Sequence, residues 1–232
     1  MTEESQLLAA LATVRDPELD EPITSLGFVA SCTASDTGTV TVRLRLPTYF
    51  CAPNFAYLMV ADAYDAVSAV PGVTRTDVRL EDHFAADLIN NGVAARAGFV
   101  ASFEGEAADE LDKLRADFLR KAVLAGTDRV CRSMLAAGME AADLAGRTLG
   151  DAPDGPVRER LRDRRRELGL SYDDGAALVI DPVTGAAVEA AELRMHMGRA
   201  RITRVGQEAN SGVCRGMLRS RYRGVVQEEE AS

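Results

Sequence analysis

The sequence predicts an α/β (α+β) fold: a small α-β-β-α-β domain over residues 1–100, with helices on one face of a short sheet, then a mainly helical extension over 101–232. Two observations carry this. Between Leu7 and Leu80 the spacing of apolar residues switches from helical to alternating twice, returning to helical once in between. Beyond residue 100 it stays helical, apart from a short strand near 177–180.

The first helix is read from Leu7, Leu8, Leu11 and Val14 on one face, with Glu3 and Glu4 suiting its first turn. It should end before Pro17, because the residue preceding proline is pushed out of the helical region. Ile23 to Thr33 reads as extended, with Leu26, Phe28, Ala30 and Cys32 on one side. Asp36-Thr37-Gly38 is a turn, and Val40, Val42, Leu44 and Leu46 alternate with polar residues in the partner strand. A loop over Pro47–Pro53 leads to a helix with Pro53 as its first residue. Pro71-Gly72 ends that helix, and Val73–Leu80 is the third strand. Helices over Glu106–Ala125 (stripe Ala107, Leu111, Leu114, Phe118 and Ala122) and Asp128–Ala145 follow. Val157–Leu168 is an arginine-rich helix, read as a solvated face since Glu159, Asp163 and Glu167 intersperse its charges. Asp181–Gly185 is a turn, and a last helix holds Val213, Cys214, Met217 and Leu218.

Composition narrows the function. The chain has 232 residues, 47% hydrophobic, and a net charge of −9. An acidic chain is a poor counterion-displacing surface, so nucleic acid is not expected as a partner. No run of apolar residues is long enough to span a bilayer, and the acidic start lacks the pattern of a signal peptide. A cytoplasmic protein is the expectation. Cys32, Cys51, Cys131 and Cys214 form no CxxC pair, which argues against a zinc knuckle or a dithiol redox motif. There is no P-loop, HExxH or GxSxG segment.

Among residues that carry chemistry, Cys51 leads. It sits just before a helix N-terminus, where free N–H groups and the helix dipole favour a thiolate, the form that binds soft metals. His83, beside Asp82, is a candidate metal ligand or proton carrier. Asp16, Glu18, Asp20 and Glu21 form a carboxylate cluster able to hold a hard cation, position a partner or simply organise a turn. Cys32, Cys131, Cys214 and His196 read as core or structural residues.

Taken together, Asp16-Pro17-Glu18, Ile23-Thr24-Ser25-Leu26-Gly27-Phe28-Val29, the loop Leu46–Pro53 and the turn Pro71-Gly72-Val73 resemble the SufT/PaaD-like family of iron–sulfur cluster assembly domains. The resemblance covers about Leu7 to Leu80. It implies a maturation role without turnover chemistry, with Cys51 as the reactive cysteine, Asp16 and Glu18 as the acidic motif and Thr48 as the polar residue of the cysteine loop. Ala52 stands between Cys51 and Pro53 where the family has Cys-Pro, and Pro47 interrupts the strand end. The segment from Asp82 to Asn90 and the helix after it resemble a longer subfamily that accompanies soluble di-iron monooxygenases. That implies a client metalloenzyme, either an oxygenase component or its reductase, and a transient iron or iron–sulfur cargo. One thiolate is too few for a cluster, which takes about four ligands. A homodimer sharing two Cys51 thiolates, or a complex with the client, would supply more. Two other readings stay open: a non-catalytic adaptor or chaperone-like module with no metal, and an enzyme using Cys51 as nucleophile with His83 as base.

Overall fold

The computed structural model describes residues 4–96 and 108–223, with side chains from 111 onward in the second stretch. The expectations at Glu3, Glu106 and Ala107 lie outside the described residues. The fold is α+β. The chain divides into two compact units, Met1–Asp112 with Asn210–Ser232, and Lys113–Ala209. The end of the chain therefore returns to the first unit, a step that the division at residue 100 did not contain.

In the first unit, helix α1 (Glu4–Leu11) buries Leu7 and Leu11. Strands β1 (Arg15–Asp16) and β2 (Glu21–Pro22) make a short antiparallel ladder around the acidic loop. Strands β3 (Val29–Ala34) and β4 (Thr39–Arg45) form the expected hairpin, with an irregularity between Val29 and Ser31. β4 alternates as read, with Val40, Val42 and Leu44 buried. Helix α2 (Pro53–Ser68) crosses back, so that β5 (Arg75–Glu81) lies parallel to β4 in a three-stranded sheet ordered β3-β4-β5. A parallel neighbour requires such a crossover. Helix α3 (Ala86–Ala94), not foreseen in the sequence, packs Ile89 and Val93 into the same core.

Ile23–Gly27 is a turn, not a strand. The amides of Leu26, Gly27 and Phe28 donate to Pro22, Thr24 and Ile23 carbonyls at 3.1, 3.1 and 2.9 Å, and Gly27 takes φ +77°. Ile23, Leu26 and Phe28 still reach the core, so burial at alternating positions imitated a strand.

Gly38, at φ +80°, closes the β3–β4 turn, and a Cβ there would lie 2.5 Å from the Gly72 carbonyl oxygen. Left-handed backbone alone costs a side chain about 1–2 kcal/mol. Gly38→Ala is therefore expected to lower unfolding stability by about 2 kcal/mol or slightly more, read as a lower urea midpoint at unchanged slope.

The second unit is built on one long helix where two were expected. Helix α4 runs Ala108–Ala136 without a break. Gly126-Thr127 in its interior does not end it, because Gly126 sits against Leu161, with only 3.2 Å between a built Cβ and Leu161 Cδ1. Close packing there outweighs the weak helix propensity of glycine. A 3₁₀ turn, Ala141–Gly146, stands at the end of the predicted second helix, and another follows at Leu149–Asp151. Helix α5 (Pro156–Glu167) matches its sequence reading in extent but not in exposure. Arg164 and Arg165 are buried, and the Arg165 guanidinium donates to the carbonyls of Ala177 (2.8 Å), Leu178 (2.5 Å) and Ser171 (3.5 Å). The stretch 177–180 is not a strand; isolated bridges Thr148–Ala177 and Ile180–Ala187 stand in its place, held partly by Arg165. The turn at Asp181 forms as read, with its carboxylate accepting from Val183 and Thr184 amides. Helix α6 (Ala190–Arg221) begins in this unit and ends in the first. No described helix is long and apolar enough to cross a membrane.

Candidate functional site

The loop between β4 and α2 carries Cys51. Pro53 starts α2 at its first turn, and no side chain caps that end. Cys51 is half-buried and packs against the first unit's core. The Thr48 hydroxyl lies 3.3 Å from the Cys51 sulfur and also accepts the Phe50 amide at 3.3 Å. Thr48 thus shapes the loop and touches the thiol.

His83, just after β5, is buried. Its Nε2–H donates to the Cys51 carbonyl at 2.8 Å, and its Nδ1 accepts the Ala85 amide at 3.2 Å. A carbonyl can only accept and an amide can only donate, which fixes the neutral tautomer with the proton on Nε2. Burial lowers the imidazole pKa most, the bond to Cys51 opposes this, and the Arg221 charge lowers it further. Both ring nitrogens are therefore engaged with backbone, and the ring pins the cysteine loop. The neighbouring Asp82 does not meet the imidazole. It takes φ +55° and turns to Arg221, 2.7 Å away, and to the Tyr222 hydroxyl, 3.0 Å away.

The acidic loop is a folded turn. Asp16, 8% exposed, accepts the amides of Glu18 and Leu19 on Oδ1, both at 2.9 Å. Among the described residues its Oδ2 takes no hydrogen bond. Burial raises its pKa to about 6 against the pull of those two amides, with Glu18 and Glu21 adding to the rise. The other carboxylates face separate partners: Glu18 receives Asn210 at 3.5 Å, Glu21 pairs with Arg215, and Asp20 lies 3.9 Å from Arg15. Among the described residues, no three His, Cys, Asp or Glu side chains are grouped closely enough to hold a metal ion by themselves.

Two features escaped the sequence reading. Tyr49, Phe50 and Phe84 form an exposed aromatic cluster beside Cys51 and His83, with ring centroids 5.0, 6.4 and 6.0 Å apart. Phe50 is 77% exposed. The second is Cys214. It packs, half-buried, against the same core as Cys51, and burial pushes its thiol up to about 11, with the charges of Asp16, Cys51 and Glu18 adding to the rise. Its spacing from Leu218 marks it as an inner-face residue, but nothing in the sequence tells which core that face meets. Cys32 stands on β3 away from this loop, Cys131 is buried in the second unit with its thiol pushed up to about 12 by burial, and His196 is buried there too.

Residues 4–80 match the family model described as iron–sulfur cluster assembly protein. An uncharacterized protein of Methanocaldococcus jannaschii is 30% identical over 90 residues, which is 39% of this chain and 93% of that protein. No solved structure matches the chain significantly. Asp16, Glu18, Thr48 and Cys51 fall inside the family match, while His83 and Cys214 fall outside it.

Proposed function

The chain belongs to the iron–sulfur cluster assembly protein family through residues 4–80, and on that premise we propose that it is an accessory factor that loads or matures a metal centre in a client enzyme. It does this in the cytoplasm, where thiols stay reduced, and without turnover chemistry of its own. Family membership implies a client protein. The client proposed is a metalloenzyme, with a di-iron monooxygenase component or its reductase as the candidate carried by the resemblance of the segment after Asp82.

One observation supports this reading above the others: a half-buried thiol, in contact with a threonine hydroxyl, sits in a loop pinned by a neutral histidine and flanked by exposed aromatic rings. The pinned loop holds the sulfur at a fixed place, and the aromatic surface suits contact with a protein. Cys51 is then a transient thiolate ligand of iron or an iron–sulfur cluster carried as cargo. Thr48 shapes the loop around that sulfur, and His83 positions it. Asp16 and Glu18 supply the acidic motif that the resemblance implies. Ligands that Cys51 lacks come from the client, from sulfide or from a second copy. The same aromatic surface also suits an adaptor that binds its client without metal.

The test is iron and sulfide analysis of anaerobically purified protein, with and without reconstitution, beside Cys51→Ser. Bound iron that falls to background in the variant is the expected result. Equal iron in both proteins, or none in either, removes the carrier role and leaves the adaptor.

A further inference from the structure

The second unit holds a cleft of about 470 Å³ that shares no residue with the cysteine site. That size falls within the usual range of small-molecule sites, roughly 300–1,000 Å³, and the space between two helices is a usual place for one. Its walls are one face of α4 over 128–135 and one face of α6 over 190–201, and the 3₁₀ turn Ala141–Gly146 closes a side.

The interior is apolar. Cys131, Leu144 and Leu193 belong to the buried core of this unit, and Leu135 and Met197 pack against it. The thioether of Met197 can adjust to the shape of what it meets. The rim is positive. Arg132 comes from the α4 wall, Arg194 and Arg201 from the α6 wall, and all three are exposed. Among the described residues none of the three makes an ion pair or a hydrogen bond. Elsewhere in this unit arginines find carboxylates: Arg120 takes Asp117, Arg129 takes Glu208, Arg162 takes Asp174 and Arg166 takes Asp163. The carboxylate that lines the cleft, Asp128, accepts Arg204 at 2.5 Å and so does not serve as counter-ion to the rim. Three uncompensated cations thus surround an apolar hollow in a chain of net charge −9. A cleft with one sign of charge and low-dielectric walls concentrates its field on an anion.

We propose that this cleft binds a small organic anion with an apolar body, an alkyl or aryl carboxylate, its charge held by Arg132, Arg194 and Arg201 and its body laid on Leu135, Leu144, Leu193 and Met197. The site lies wholly in the second unit, outside the family match, and does not depend on whether Cys51 carries metal. A guanidinium fork matches a carboxylate with two parallel bonds. The floor contributes by taking the body out of water. Each half of the site reads one half of the ligand, so an anion without a body and a body without a charge should both bind poorly.

The experiment is calorimetric titration of the full chain with octanoate, beside octanol and acetate. Octanoate is expected to bind at one site, with octanol and acetate each at least about tenfold weaker, the scale of a hydrogen bond to a charged group. Replacing Arg132, Arg194 and Arg201 together by glutamine should weaken octanoate about 10–100-fold and leave octanol unchanged. The three side chains are exposed and unpaired, so the fold should survive their loss. Gly198→Leu is the second variant. Gly198 lines the cleft, a Cβ built there has nothing within 4 Å, and leucine is the better helix former. It should fill the cleft and abolish octanoate binding at an unchanged or higher melting temperature. Octanoate held as tightly by either variant as by the wild type overturns the proposal. So does equal affinity for octanoate and either control, and so does a wild type that binds no octanoate at millimolar concentration.

Discussion

Arg165→Ala is expected to destabilise the second unit by about 3–5 kcal/mol, the range seen when one side of a buried polar arrangement is removed. Arg165 has no measurable exposure. Its guanidinium carries three carbonyls of a segment that has almost no regular structure of its own. Truncation leaves those acceptors without partners and opens a cavity under Leu161 and Leu178, which share that core. Burial lowers the guanidinium pKa to about 10, which still leaves it charged at neutral pH. Lysine keeps the charge but not the planar fork that reaches separate carbonyls, so Arg165→Lys should recover only part of the loss. Amide exchange over 171–180 is the direct readout. Protection there that survives Arg165→Ala would show that the arginine is a passenger in its own core.

Asp16→Asn should stabilise the first unit at pH 7.5 by about 1–3 kcal/mol. The asparagine Oδ1 can accept the same two amides from Glu18 and Leu19, so the turn survives. What disappears is a buried charge. The folded carboxyl has its pKa raised from 3.8 to about 6, which makes the folded state the stronger proton binder. The wild type is therefore least penalised below the unfolded value. It loses stability as pH rises through the window from about 4 to 6, and the loss is constant above it. That window corresponds to roughly 3 kcal/mol at most. Melting temperatures of wild type and variant should thus converge near pH 4 and separate by pH 7. A separation of the same size at both pH values would mean that the effect is not the carboxyl's titration.

These residues also show what the sequence could and could not reveal. The alternation of Val40, Val42 and Leu44 and the placement of Pro53 report local physics, period two on a half-buried strand and a missing amide at a helix start. Both appear where expected. Ile23–Gly27 failed because a turn can deliver residues inward at the same spacing as a strand. Arg164 and Arg165 failed because a charge pattern cannot report that carbonyls from a later segment await it. In the site, Cys51 and Thr48 are three residues apart and meet, so the motif was legible. The sequence makes His83 a candidate ligand or proton carrier, and it instead grips the Cys51 carbonyl with one nitrogen and the Ala85 amide with the other. Which atom of a neighbour a side chain meets is a three-dimensional fact. Cys214 lies far along the chain, and only the return of α6 brings it to the first unit's core.

That return has a consequence for synthesis. The first unit is discontinuous in sequence, with Lys113–Ala209 inserted between its main part and its closing helix. A ribosome making this chain delivers the sheet, α1, α2 and the Cys51 loop before the inserted unit, and Leu218 and Arg221 only after it. Until then the Gly27 face and the flanks of the Cys51 loop have no cover from α6. The inserted unit is continuous and can fold as soon as it emerges, shortening the span that the final segment must close. The nascent cysteine loop therefore spends the whole elongation of the second unit without α6, and it acquires these contacts only once that helix has followed.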